Sequence, residues 1–108
     1  MAYDEELVTR VRALLAERTD VTERPMFGGL TFMVGGHMCC GVHGDELIVR
    51  VGPELEAEAL RRPHARPMDF TRRRMRGFIT VRPDALEGNG LELWVCDALA
   101  NASSLPPR

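Results

Sequence analysis

His37, Cys39, Cys40 and His43 fall within seven residues, and they are the side chains of this chain best suited to chemistry. Imidazole and thiolate are the common ligands of zinc, and a thiolate beside an imidazole base is a nucleophile. Side chains alternate along a strand, so His37 and Cys39 share a face and Cys40 points the opposite way. The spacing matches no standard zinc pattern, and Cys96 lies far off in a helical segment. His37, Cys39 and His43 are the candidate ligands, but the expectation is that no metal binds. Cys39 and Cys40 read as small apolar fillers, a usual role for free cysteine. The chain has no Ser/His/Asp signature, P-loop, EF-hand pattern or recognisable carboxylate pair. Gly28-Gly29 and Gly35-Gly36 are not followed by a helical pattern, which a phosphate loop requires. The expectation is therefore a protein that is not an enzyme and carries no cofactor.

The charge map is the stronger functional signal. All 14 basic residues are arginine, in a chain of formal net charge −2. Residues 1–60 hold 5 arginines against 11 acids, whereas residues 61–82 hold 8 arginines against Asp69 alone. The basic segment is Arg61, Arg62, Arg66, Arg72, Arg73, Arg74, Arg76 and Arg82. Guanidinium forks suit phosphates and acidic partners. The plainer reading is a solvated loop paired with acids such as Glu54, Glu56 and Glu58, which contributes little. A protein partner is the first functional expectation and nucleic acid its alternative. The negative net charge, and the lack of interleaved aromatics beyond Phe70 and Phe78, weigh against nucleic acid.

These residues must be positioned by an α+β framework. Asp4 to Arg18 has helical periodicity, with Leu7, Val8, Val11, Leu14 and Leu15 on one stripe. Three strands follow: Met26 to Val34, Met38 to Val42 and Leu47 to Val51, separated by Gly35-Gly36 and by His43-Gly44-Asp45. On the second strand, Met38, Cys40 and Val42 are expected to share a face. Gly28-Gly29 marks a bulge or a close backbone approach. Gly52-Pro53 leads into a short helix, Glu54 to Leu60. Residues 61–77 read as an irregular connection, with His64 exposed, and Met75 to Val81 as a strand. Asn89 and Glu92 have capping-box spacing, opening a helix with Leu91, Trp94, Val95, Ala98 and Leu99 inward and stopped by Pro106-Pro107. Met26, Met33, Met38, Met68 and Met75 are mostly gap-filling core.

At 108 residues, with 44% hydrophobic and 28% charged content, the chain is expected to form one domain over residues 1–108. No apolar run reaches the ~18 residues that a membrane span needs. Three cysteines, two adjacent, are not a disulfide framework, so a cytoplasmic setting is expected.

The chain resembles the N-terminal domain of the TfoX/Sxy family. The likeness rests on Ala2-Tyr3-Asp4-Glu5-Glu6-Leu7, Val21-Thr22-Glu23-Arg24, Met26-Phe27-Gly28-Gly29-Leu30, Met38-Cys39-Cys40-Gly41-Val42 and Arg50-Val51-Gly52. Ala65-Arg66-Pro67-Met68-Asp69-Phe70-Thr71, Met75, Gly77, Trp94-Val95 and Ser104-Leu105-Pro106 complete it. The resemblance implies a fold like that of secretion chaperones, in the order helix, three strands, helix, two strands, helix. It implies a link to competence regulation, which longer members couple to a second domain resembling helix-hairpin-helix modules. This chain is expected to be a stand-alone short form. By fold analogy alone, a homodimer is a further expectation.

Overall fold

The structure is a computed structural model that describes residues 3–26, 28–68 and 75–106. Six antiparallel strands form one open sheet in the order β1-β2-β3-β4-β6-β5. They are β1 Val21–Met26, β2 Gly29–Val34, β3 His37–His43, β4 Glu46–Arg50, β5 Ala65–Pro67 and β6 Phe78–Val81. Three helices, α1 Glu5–Leu14, α2 Glu56–Leu60 and α3 Gly90–Ser104, complete the α+β fold. No helix among the described residues is long and apolar enough to cross a membrane.

Period-two alternation builds the main core. Leu30, Phe32 and Val34 on β2 and Leu47 and Val49 on β4 are buried with Val51, Ile79 and Val81 against the helices. From the helices come Leu7, Val8 and Val11 of α1, Ala59 of α2, and Trp94, Val95 and Ala98 of α3. The opposite face carries a smaller cluster of Met38, Ile48 and Met68, with Met33, Met75 and Phe78 half-buried beside it. Among the described residues, Met33, Met38, Met68 and Met75 thus pack on the back of the sheet and no methionine joins the main core.

The β2–β3 turn has φ of +60° at Gly35 and +84° at Gly36, the conformation expected of a tight glycine turn. At Gly29 a Cβ would stand 2.1 Å from the Val42 carbonyl oxygen, so the close backbone approach expected near Gly28-Gly29 is found there.

Several elements differ from their sequence reading. β1 begins at Val21, ahead of the expected first strand, and most of its residues are exposed, so no apolar alternation announces it. β5 lies within the segment read as irregular; its three residues are too few to show a period. α1 stops at Leu14, so Arg18 is not in its last turn but pairs with Asp20 at 2.9 Å. α2 starts at Glu56, after a turn, and Glu56 is buried at 6% exposure. α3 begins without the capping box: Asn89 is already in the α region and its side chain makes no capping hydrogen bond. Its carbonyl instead accepts from the Leu93 amide at 3.0 Å.

β1 is a protected edge. A two-fold axis normal to the sheet would set Glu23 against Glu23 of a second copy, or Arg24 against Arg24, at the centre of an edge-to-edge pairing. Like charges directly opposite are destabilising, and Pro25 removes a backbone donor.

Candidate functional site

The cysteine and histidine group does not come together. Phe32 pairs with Cys40 but Met33 pairs with Met38, so Cys39 is the extra residue of a β-bulge in β3. The bulge turns Cys39 and Cys40 into the same core, both at 0% exposure. The expected alternation therefore fails at Cys40, which lies on a different face from Met38, whereas His37, paired with Val34, stays on the helix side with Cys39. The hydrogen bond that its thiol donates to Cys39, and then burial, push the Cys40 thiol well above its ordinary range. A thiol held in that state is a poor nucleophile. His37 and His43 are at opposite ends of β3, about 20 Å apart at the usual strand rise. The His37 ring nitrogen donates to the Pro106 carbonyl at 2.5 Å, holding the residues after α3 against the sheet. Among the described residues no three His, Cys, Asp or Glu side chains are grouped to hold a metal.

The basic segment is divided. Arg66 forks onto Glu46 at 2.5 and 2.7 Å, across the back of the sheet. Hydrogen bonding from Arg66, reinforced by its charge, holds the Glu46 carboxyl below its usual range. Arg62 pairs with Asp97 of α3 at 2.5 Å, and its guanidinium lies 3.5 Å from the centroid of the Trp94 ring. These partners are not the expected Glu54 and Glu58. Arg61, Arg76 and Arg82 are exposed, and Arg72, Arg73 and Arg74 lie outside the described residues. The segment read as one basic patch is thus, in part, an internal clamp.

The Arg62 clamp borders a groove between residues 51–62 and the outer face of α3. Two adjoining cavities of about 120 Å³ and about 400 Å³ share Val51 and Leu55 as walls. Leu55 is 50% exposed, and Leu93, one turn before Asp97 on α3, is 58% exposed. Asn101 lines the larger cavity, and its Nδ2 is buried with no hydrogen-bond partner among the described residues. A Cβ on Gly52 would stand 2.6 Å from Asn101 Oδ1, so the amide occupies the niche that glycine leaves. Gly77 closes on the same turn: its Cβ would meet the Gly52 carbonyl carbon and the Pro53 nitrogen at 2.8 Å.

The TfoX N-terminal domain family matches residues 13–102. The chain belongs to that family. The match runs from inside α1 into α3 and takes in all six strands. No curated protein and no solved structure gives a significant match to the chain.

In this TfoX N-terminal domain the groove residues Leu55, Asp97 and Asn101, and Leu93 one turn along α3 from Asp97, had no part in the sequence reading of function. The available signal was the outer stripe of α3, where positions 93, 97, 100 and 104 recur at helical spacing. That stripe mixes leucine, aspartate, alanine and serine, so it carries no motif.

Proposed function

We propose that this TfoX N-terminal domain is a non-enzymatic interaction domain that binds a protein partner. The observation that carries the reading is the concave surface beside α3, where Leu55 is half exposed next to the Arg62–Asp97 pair, with the exposed Leu93 one turn before Asp97 on the helix. Single exposed leucines are ordinary; one on the wall of a groove, with a second further along the bordering helix, offers apolar contacts to a partner. The sheet itself is less suited to the role, because three helices pack on one face and the methionine cluster closes much of the other. A reducing, cytoplasmic setting belongs to the same reading, since Cys39, Cys40 and Cys96 are free thiols.

A nucleic-acid regulator acting through Arg61 to Arg82 is the rival. It is weakened by the engagement of Arg62 and Arg66 with carboxylates of the same chain. The test places a photo-crosslinking amino acid at position 93, or at position 22 on the β1 edge, in cells making the full chain. A discrete protein adduct from position 93 and none from position 22 is the expected result. The opposite result is no adduct from 93, together with duplex-DNA binding that falls steeply with salt. Three phosphate contacts would give a slope of about −2.7 in log K against log salt. Loss of that binding on changing Arg72, Arg73 and Arg74 together to Glu would then favour the rival.

A further inference from the structure

We infer that the groove between α2 and α3 takes a short segment of a partner protein with an apolar anchor flanked by basic residues. The inference rests on the protein-binding reading above and names the site and the chemistry of its ligand.

Three observations specify the occupant. The first is the lining. Val51, Leu55, Ala100 and Leu105 give the larger cavity an apolar wall, so an aliphatic or aromatic side chain is the anchor. The second is charge. Among the described residues, Glu54, Glu58 and Asp97 stand on the walls of the two cavities against Arg62 alone, and Arg62 is already bound to Asp97. The surplus is acidic, so the segment that complements it is basic. Arg61, exposed at the end of α2, lies outside the lining. The third is the orphaned amide. Asn101 Nδ2 is a buried donor with no acceptor among the described residues. Such groups are rare in folded proteins and call for an explanation. A carbonyl of an incoming backbone supplies the acceptor, with the amide turning about its soft terminal torsion to meet it.

The length of the groove sets the length of the ligand. Asp97 to Leu105 is about 12 Å along a helix axis. An extended chain covers that span in about four residues.

The probe is the peptide Ac-Arg-Leu-Leu-Arg-NH2, titrated into the full isotope-labelled chain and followed by amide and side-chain NMR shifts. Two controls replace its arginines by glutamate or its leucines by serine. The expected result is saturable shifts at Leu55, Asn101 Nδ2 and Leu105, none at Leu14 or Leu91, and at least tenfold weaker binding of both controls. Leu55→Ser and Glu58→Arg, both at exposed positions, should each weaken binding about tenfold in a chain whose spectrum stays folded. Asn101→Leu should do the same and abolish the side-chain amide shift. Shifts centred elsewhere, equal binding of the acidic peptide, or no saturation at millimolar peptide would overturn the inference. If those results came with a protein adduct from position 93, the groove assignment would fall while the protein-binding reading stood. If position 93 gave no adduct either, both would fall.

Discussion

α3 has a hollow on each flank, and the two are built differently. On the α1 side a cavity of about 260 Å³ is walled by Ala13, Leu14, Leu91 and Gly88, with Arg10 at its rim. Arg10 is satisfied there, donating to the Leu86 carbonyl at 2.7 Å, and a Cβ at Gly88 would meet nothing within 4 Å. On the α2 side the backbones of Gly52 and Gly77 are in contact, Arg62 is clamped on Trp94, and Asn101 keeps a buried donor without an acceptor among the described residues. Both flanks show a leucine to solvent, at 36% for Leu14 and 50% for Leu55. The difference teaches that an exposed leucine marks a gap in packing, whereas a tightly built wall around an unsatisfied polar group marks a place for something else.

The comparison breaks first, if it breaks, at the glycines. Gly77 has φ of +83° and no room for a Cβ, so Gly77→Ala should destabilise the domain by about 3 kcal/mol. Gly88 has φ of +58° but open space, so Gly88→Ala should cost only about 1 kcal/mol for the left-handed backbone. Urea unfolding of the two variants measures both; equal losses would remove the structural distinction between the flanks.

The Arg62 clamp gives a smaller effect. Arg62→Ala should cost about 1 kcal/mol, mostly through the lost stacking on Trp94. The ion pair is solvent-exposed, with the Arg62 and Asp97 side chains 33% and 48% accessible, so it adds little. A double-mutant cycle should therefore find Arg62–Asp97 coupling below about 0.5 kcal/mol. Coupling well above 1 kcal/mol would make the salt bridge, not the stacking, the element that shapes the groove.

How much of this was legible in the chain follows from the physics of each part. β2, β3 and β4 could be read because strands buried on both faces give short apolar runs that glycine turns separate, and α3 because burial on one face imposes a helical period. β1 could not, since Thr22, Glu23, Arg24 and Pro25 are all exposed on an edge. The bulge at Cys39 could not, because one extra residue leaves the local sequence unchanged while reversing which side chains face the core. The Asn89 cap had the right letters, but the backbone was already helical there. The basic segment was plain as a charge run, yet the Trp94 and Asp97 that hold Arg62 come from α3. The groove is the least legible part, because the isolation of Asn101 depends on a glycine turn distant in sequence.

The acid response is the smallest effect and provides a reference away from both flanks. The Glu46 carboxyl is lowered by Arg66, and the Glu23 carboxyl by hydrogen bonding from Arg12. A lowered folded-state pKa gives stability that is present above the unfolded value of about 4.3. That stability is lost as pH falls through the lower folded value. The melting temperature should thus hold steady from pH 7 to about 5 and decline below about 4. Glu46→Gln should flatten part of that decline, by less than about 1 kcal/mol. A decline that begins near pH 6 would point to histidine instead.

The most direct test of the central claim compares the two flanks in one experiment, with the crosslinking amino acid at position 55 or position 14 of the full chain in cells. The groove account predicts a protein adduct from position 55 alone, and its loss when excess Ac-Arg-Leu-Leu-Arg-NH2 is added to the lysate before irradiation. An adduct from position 14, or one from position 55 that the peptide leaves untouched, would contradict it.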